Sequence, residues 1–268
     1  MIDFGKQNVL GIRVDAVDYE AAVQRIMDAA RDRRPYAVSA LAVHGLMTGV
    51  LDRNHRFRLN KFDLLTPDGQ PVRWAMRWLH GVKLPDRVYG PRLTLEVCRR
   101  AEEEGRSIFL FGGSEALLAK LQAQLAERFP KLKIAGSLAS KFRKLTPAER
   151  DETIATIRAS GAEITLVGLG CPRQEVFTYE FREALSMPVL AVGAAFNFIA
   201  GDLAQAPKYL QDRGLEWLYR LSKEPRRLWR RYLLLNPLYV GLLLLQLTRL
   251  RSFDPSDADP PLEQVLYG

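Results

Sequence analysis

Short β-prone runs alternate with longer helical patterns from residue 10 to about residue 200, and this alternation limits the fold more than any other feature. Seven runs predict strands, at residues 11–17, 36–43, 62–65, 107–111, 132–135, 164–168 and 189–192. Each run is followed by a turn and a helical stretch, which is typical of a largely parallel sheet covered by helices. The sequence therefore predicts an α/β fold with a Rossmann-like layered sheet.

Glycines stand in the turns that follow three of these predicted strands. They are Gly112 and Gly113 in one turn, Gly168 and Gly170 in the second, and Gly193 in the third. Ligands gather at the carboxyl ends of parallel strands, and backbone amides at the start of a helix bind phosphate well. None of the turns has the GxGxxG or Walker A spelling, and a glycine after a strand often serves the turn alone. We expect a nucleotide-type ligand near these turns, with the plain turn as the alternative.

The segment from residue 208 to residue 251 combines positive charge with apolar side chains. It holds ten Lys or Arg and three acidic residues, so its net charge is +7, whereas the net charge of the whole chain is +8. A run of fifteen mostly apolar residues, 233–247, follows the arginines. A spanning helix needs about 20 apolar residues, so we expect this run to lie on an anionic bilayer or to dip into it.

Two other interpretations of this segment stay open. One is a pair of core helices whose arginines face solvent. The other is nucleic-acid binding through attraction to phosphate, against which the long apolar run argues.

Cysteine content and the first residues bear on the compartment. Cys98 and Cys171 are too few for a disulfide framework, which favours a reducing environment. The first ten residues contain Asp3, Lys6 and Gln7 and lack the apolar region of a secretory signal. We therefore expect a cytoplasmic protein that touches the membrane from the inside.

Several ordered motifs lie between residues 10 and 233. They read LTPDGQPV at 65–72, RVYGP at 87–91, VGLGCPRQE at 167–175, GAAFNFIAG at 193–201, GLEWLYRL at 214–221 and EPRRLWRRY at 224–232. Together they resemble the WecG/TagA/CpsF family of bacterial glycosyltransferases. The resemblance implies an inverting transfer of a sugar from a UDP-sugar to a saccharide on a polyprenyl diphosphate. It also implies a place at the cytoplasmic face of the inner membrane, in polysaccharide synthesis.

The resemblance assigns the chemistry to a few side chains. Asp68 matches the family's general base, which takes a proton from the attacking sugar hydroxyl. Arg87 matches an arginine suited to a diphosphate, and Gln174 with Glu175 matches a pair expected at the donor pocket. Plainer interpretations stay open: a turn for Asp68 and a surface ion pair for Arg87. Gln174 and Glu175 equally suit the polar first turn of a helix.

Three arginines near the end of the chain match family arginines proposed to reach the active site. They are Arg220, Arg227 and Arg230. Their spacing places them near one helical face, although Pro225 can interrupt the helix. A basic stripe that faces solvent or lipid is the alternative.

Two positions depart from the family pattern. Many relatives carry a carboxylate where this chain has Asn197, which can bind a base or a sugar hydroxyl but cannot ionise. The strand before Asp68 lacks the family's threonine and asparagine and offers only Ser39 and His44 as polar side chains. The roles of Ser39 and His44 stay open.

The chain is expected to divide into three parts. Residues 1–205 form the nucleotide-sugar-binding catalytic domain, residues 206–253 a basic helical appendage that associates with the membrane, and residues 254–268 a flexible terminal segment, acidic and rich in proline. No metal ion or other cofactor is expected, because the histidines lack zinc-type spacing and the single Asp-x-Asp spelling lies in the terminal segment. The expected partners are a UDP-sugar, a polyprenyl-diphosphate-linked acceptor and an anionic membrane surface, not nucleic acid. A homo-oligomer is compatible with the sequence.

Two rival functions remain. A Rossmann-type nucleotide-sugar epimerase or dehydrogenase would bind NAD and need no lipid, but the chain has no GxGxxG motif. A non-enzymatic basic membrane adaptor would use residues 208–251 only and would leave Asp68 and Gln174 without a task. The donor sugar is open between glucose, N-acetylmannosamine and its uronic acid, because pocket shape decides among them.

Overall fold

The computed structural model describes the backbone of residues 1–268 and every side chain except those of Arg227 and Arg231. Its strands are β1 Asp3–Val9, β2 Ile12–Val17, β3 Tyr36–Leu41, β4 Leu64–Pro67, β5 Ser107–Phe111, β6 Lys133–Leu138, β7 Ile164–Val167 and β8 Pro188–Ala191. Its helices are α1 Tyr19–Arg31, α2 Val43–Leu51, α3 Arg53–Asn60, α4 Gln70–His80, α5 Gly90–Glu103, α6 Glu115–Arg128, α7 Pro147–Ala159, α8 Arg173–Leu185, α9 Ala195–Ile199, α10 Lys208–Asp212, α11 Glu216–Lys223 and α12 Pro225–Leu247.

Six strands form one parallel sheet, in the order β4-β3-β8-β7-β5-β6. Helices α1, α5, α6 and α9 cover one face, and α2, α3, α7 and α8 cover the other. All seven predicted strands are present, with their ends shifted by at most three residues. The predicted α/β, Rossmann-like fold is therefore confirmed.

Side chains of the central strands alternate between the two faces, as a pleated strand requires. In β5, Ile108 and Leu110 join the core beneath α1, α5 and α6, whereas Phe109 and Phe111 join the core beneath α7 and α8. All four side chains are buried. Both faces are apolar and covered, which leaves the edge at the carboxyl ends of the strands for polar chemistry.

The first two strands form an antiparallel hairpin outside the six-stranded sheet. Residues 11–17 thus contain a strand, as the sequence predicts, but β2 pairs with β1 and not with the parallel strands. The turn has φ of 54° at Leu10 and 85° at Gly11, and two positive values suit the twist of a tight hairpin.

The appendage forms three helices, α10 to α12, that pack on the α/β domain. Helix α12 lies against α2 and α4 and buries Tyr239 and Leu243, and Tyr239 Oη donates to the Pro71 carbonyl at 2.9 Å. Gln246, which interrupts the apolar run, accepts the N–H of Leu10 at 2.9 Å. One side of α12 therefore belongs to the core, as in the core-helix interpretation. Within the described residues, no helix is both long and apolar enough to cross a bilayer.

The terminal segment makes defined contacts with the domain, unlike the unpacked tail that its composition predicts. Arg53 of α3 forms ion pairs with Asp257 and Asp259. Farther along, the Glu180 carboxylate accepts the N–H of Leu266 at 2.9 Å. From composition alone, the acidic residues of this segment are expected to face solvent. Their pairing with Arg53 could not be predicted, because the position of Arg53 depends on the tertiary fold.

Gly168 lies where three elements meet, and we expect its replacement by alanine to destabilise the fold. A Cβ there would lie 2.4 Å from Cδ2 of Phe196, which is buried, so the ring would have to move. Overpacking of this kind costs about 1 to 3 kcal/mol, measurable by urea denaturation. Gly241→Ala is the control, because a Cβ at Gly241 meets no described atom within 4 Å and should stabilise α12 slightly. Equal stability of Gly168→Ala and wild type would contradict the packing described.

Candidate active site

A cavity of about 1700 Å³ opens at the carboxyl ends of the parallel strands. Residues that follow β3, β4, β7 and β8 form its inner wall, and helices α11 and α12 form its outer side. Six predicted polar site residues line it: Asp68, Arg87, Gln174, Glu175, Asn197 and Arg220. The fold thus gathers residues from distant motifs around one space.

Asp68 follows β4 directly, at the carboxyl end of the strand. Its N–H donates to the Leu41 carbonyl at 3.2 Å, and its Oδ1 accepts the N–H of Gly90 at 3.0 Å. Burial raises the pKa of Asp68 to about 6; the Arg87 cation opposes this shift and the Glu216 carboxylate adds to it. A carboxyl group with this pKa is mostly ionised at neutral pH and still accepts a proton readily.

The Arg87 guanidinium lies beside Asp68 and is held by several groups. Its Nη1 donates to the Asp68 carbonyl at 3.3 Å, and its Nη2 donates to Gln211 Oε1 at 3.0 Å and to Glu216 Oε2 at 2.6 Å. Its central carbon is 4.3 Å from the centre of the Tyr89 ring. Only 7% of Arg87 is exposed. It is a buried cation, and the interpretation as a surface ion pair is wrong.

Gln174 and Glu175 lie in the first turn of α8, and both are buried. Gln174 Oε1 accepts the N–H of Gly170 at 3.1 Å, and its Nε2 donates to Glu175 Oε1 at 2.9 Å. Ser39 Oγ donates to the same oxygen at 3.1 Å. Burial raises the pKa of Glu175, and the hydrogen bonds from Gln174 and Ser39 oppose this shift. Ser39 thus supports Glu175, and His44 at the start of α2 lines the cavity.

The predicted glycines divide into two groups. Gly113, Gly168 and Gly170 line the cavity. Gly112 packs against the backbone of Gly168, where a Cβ would lie 2.9 Å from the carbonyl carbon, and its φ is 107°. Glycine is required at Gly112 by close packing and backbone conformation, whatever the ligand.

The three appendage arginines also differ in position. Arg220 of α11 lines the cavity with its guanidinium carbon 5.7 Å from the centre of the Phe198 ring. Arg230 is exposed on α12. The side chain of Arg227 lies outside the described part of the chain. Helix α11 ends at Lys223 and α12 begins at Pro225, so Arg220 stands on a different helix from the other two.

A comparison with protein families identifies the family of this chain. The model of the Glycosyl transferase WecG/TagA/CpsF family matches residues 7–253. The chain belongs to this family. The match covers both the α/β domain and the appendage, and membership supports glycosyl transfer in polysaccharide biosynthesis. The epimerase and adaptor alternatives have no comparable support.

The side chains of this WecG/TagA/CpsF-family protein bear on whether it binds a metal ion. Among the described residues, no three His, Cys, Asp or Glu side chains converge as a metal site would require. The expected independence from metal and other cofactors stays a prediction.

Sequence reasoning did not identify Tyr89, Gln211 or Glu216 as site residues of the glycosyltransferase, although all three contact Arg87. Tyr89 and Glu216 lie inside the motifs RVYGP and GLEWLYRL, so the motifs contained a signal. The pairing of Arg87 with Glu216 could not be predicted, because Glu216 lies 129 positions from Arg87 in the sequence.

Burial raises the pKa of Tyr89, and the Glu216 carboxylate adds to the shift. Tyr89 therefore stays neutral and donates to Glu216 Oε1 at 3.3 Å.

Proposed function

We propose that this glycosyltransferase moves a sugar, with inversion, from a UDP-sugar to a saccharide on a polyprenyl diphosphate, at the cytoplasmic face of the bacterial inner membrane. The observation that carries the proposal is the juxtaposition of Asp68 and Arg87, with Nη1 of Arg87 3.3 Å from the Asp68 carbonyl. Transfer from a diphosphate donor to a hydroxyl requires a base and a cation at one place.

The reaction proceeds by a single displacement. Asp68 takes the proton of the acceptor hydroxyl while that oxygen bonds to the anomeric carbon. The bond from this carbon to the UDP oxygen breaks on the opposite face, so the configuration inverts. Arg87 and Arg220 line the same cavity and neutralise the charge that builds on the departing diphosphate. In this proposal protein side chains supply that charge without a metal ion.

The donor occupies the glycine-lined end of the cavity. Gly113, Gly168 and Gly170 line this end, and Gly170 leaves open space for a ligand close to the backbone, because a Cβ there would meet no described atom within 4 Å. Asn197 lines the same space and offers both a donor and an acceptor to a base or sugar hydroxyl. Gln174 is already bonded to Gly170 and Glu175, so it fixes the shape of this wall.

The exposed side of α12 supports a membrane as the partner. It carries the apolar side chains Leu233, Leu234, Leu238, Val240 and Leu244. Arg226 and Arg230 precede them on the helix and are exposed. Cations next to exposed leucines suit an anionic interface. Exposed Leu51 and Trp78 belong to α2 and α4, the helices that pack against α12.

Leu234→Asp should weaken binding to anionic liposomes by about tenfold, because it places a charge where an exposed apolar side chain of α12 would enter the interface. Flotation with vesicles that contain phosphatidylglycerol measures the effect. Leu262→Asp makes the same substitution at a residue that is 97% exposed in the terminal segment, and it should bind as wild type does. Equal losses from both variants would indicate a general charge effect and contradict this orientation.

UDP release by the purified protein tests the function. The protein in liposomes is offered UDP-glucose, UDP-N-acetylmannosamine or its uronic acid, with a polyprenyl-diphosphate-linked monosaccharide as acceptor. Release that needs both one donor and the lipid acceptor supports the proposal and identifies the sugar. Release without the acceptor indicates hydrolysis, and no release with any donor refutes the choice of UDP-sugars.

A further inference from the structure

Helices α10 and α11 bring two side chains onto the cation of the active site. Glu216 Oε2 accepts from Arg87 Nη2 at 2.6 Å, and Gln211 Oε1 accepts from the same nitrogen at 3.0 Å. Tyr89 Oη donates to the other Glu216 oxygen. The Glu216 side chain is 13% exposed, and it lines the cavity together with Asp68 and Arg87. Glu216 is thus seated inside the active site.

The position of the Glu216 carboxylate is one that an anionic ligand could occupy. A guanidinium binds a carboxylate and a phosphate with the same planar pattern of donors. A neutral tyrosine hydroxyl adds one more donor for the same anion. Glu216 therefore makes the contacts that a diphosphate oxygen would make at Arg87.

The seat is also electrostatically crowded. Asp68 and Glu216 both lie close to Arg87, and the Glu216 carboxylate acts unfavourably on the charge of Asp68. A diphosphate brings more than one negative charge and competes strongly for the arginine. Among the described residues of α10 and α11 none is buried, so less packing holds these helices in place than holds the helices that cover the sheet.

We propose that Glu216 is an internal substitute for a diphosphate, which occupies Arg87 in the free protein and is displaced when a diphosphate-bearing ligand binds. The proposal rests on the proposed function in one respect, the binding of a diphosphate at Arg87. Glu216 acts through Arg87 and is a positioning residue. Arg220 stands one turn farther along α11 and already lines the cavity, so displacement of Glu216 removes a negative neighbour of the ligand from a site that holds a second arginine.

Calorimetric titration of the full chain with inorganic pyrophosphate tests the exchange. Glu216→Gln should bind pyrophosphate about tenfold more tightly than wild type, because the internal competitor has lost its charge. Asp212→Asn is the matched control: it removes one negative charge from an exposed position of α10 and should change the affinity less than twofold. In Arg87→Gln the added Glu216→Gln substitution should give no gain.

An unchanged or weaker affinity of Glu216→Gln, or an equal gain in Asp212→Asn, overturns the proposal. If Glu216→Gln does not fold, Glu216→Asp provides the same test, because the shorter side chain reaches Arg87 less well. UDP and geranyl diphosphate, titrated separately, show whether the donor, the acceptor or both use this seat. Pyrophosphate affinity needs no sugar transfer, so an affinity gain without UDP release from any donor would refute the proposed UDP-sugar donor and leave the exchange standing.

Discussion

Replacing Asp68 with asparagine should lower kcat for UDP release by about 10³-fold and leave UDP affinity within about twofold of wild type. Asparagine keeps the size of the side chain and still accepts the N–H of Gly90, which is bonded to Oδ1 of Asp68 at 3.0 Å. It cannot take the proton of the acceptor hydroxyl. Steady-state kinetics with saturating donor and acceptor measure kcat, and titration with UDP measures affinity. A variant that retains more than a tenth of the activity would remove Asp68 from the mechanism.

The pH dependence separates this role from a structural one. Because burial raises the pKa of Asp68 to about 6, kcat/KM of the wild type should fall as pH decreases through 6. This acid limb should be absent from the residual activity of Asp68→Asn. An acid limb that persists in the variant belongs to another group.

The same raised pKa fixes the sign of the effect on stability. The native carboxyl group binds its proton more tightly than the unfolded one, whose pKa is 3.8. Its contribution to stability is complete below pH 3.8 and is lost as pH rises through 6. At pH 8 Asp68→Asn should therefore melt at a higher temperature than wild type, by about 3 °C. An inactive variant that is more stable than wild type cannot owe its inactivity to unfolding.

The sheet was predictable from sequence because its cause is local. Five short apolar runs, each followed by a turn and a helical pattern, form the strands β3, β4, β5, β7 and β8, which are mostly buried, and this burial gives them their composition. The sixth strand, β6, lies at the edge of the sheet and is only partly buried. The hairpin partner of β2 was not predictable in the same way. Strand β1 is largely exposed, and residues 3–9 therefore lack an apolar pattern.

Contacts between segments that are distant in sequence are the part of the site that could not be predicted. The family resemblance of the motifs identifies Asp68, which follows β4 directly, and Arg87, which lies between α4 and α5. The pairing of Arg87 with Glu216 depends on how α11 packs against the domain, and no local pattern encodes that. Arg220 and Arg230 match the family equally well, yet the packing places only Arg220 at the cavity.

Arg87→Lys should lower kcat by about 10²-fold, because an ammonium group cannot present the planar pair of donors that a guanidinium offers to phosphate oxygens. The buried position makes the loss large, since little water is available to replace the missing donors. Arg92→Lys is the control: it makes the same substitution at an arginine that is 59% exposed on α5 and should leave kcat near wild type. An Arg87→Lys variant with kcat near wild type would show that the site does not depend on this guanidinium, and similar losses in both variants would show that the loss is not specific to Arg87.

The pH profile distinguishes charge from geometry at Arg87. The cation lowers the pKa of Asp68 against the effect of burial. Lysine preserves the charge, so the acid limb of Arg87→Lys should stay near pH 6 while kcat falls. Arg87→Gln removes the charge and leaves Glu216 beside Asp68 without its partner, so its acid limb should move to higher pH. If the limb stays at the same pH in Arg87→Gln, either Asp68 does not produce it or the two side chains do not interact as the structure places them.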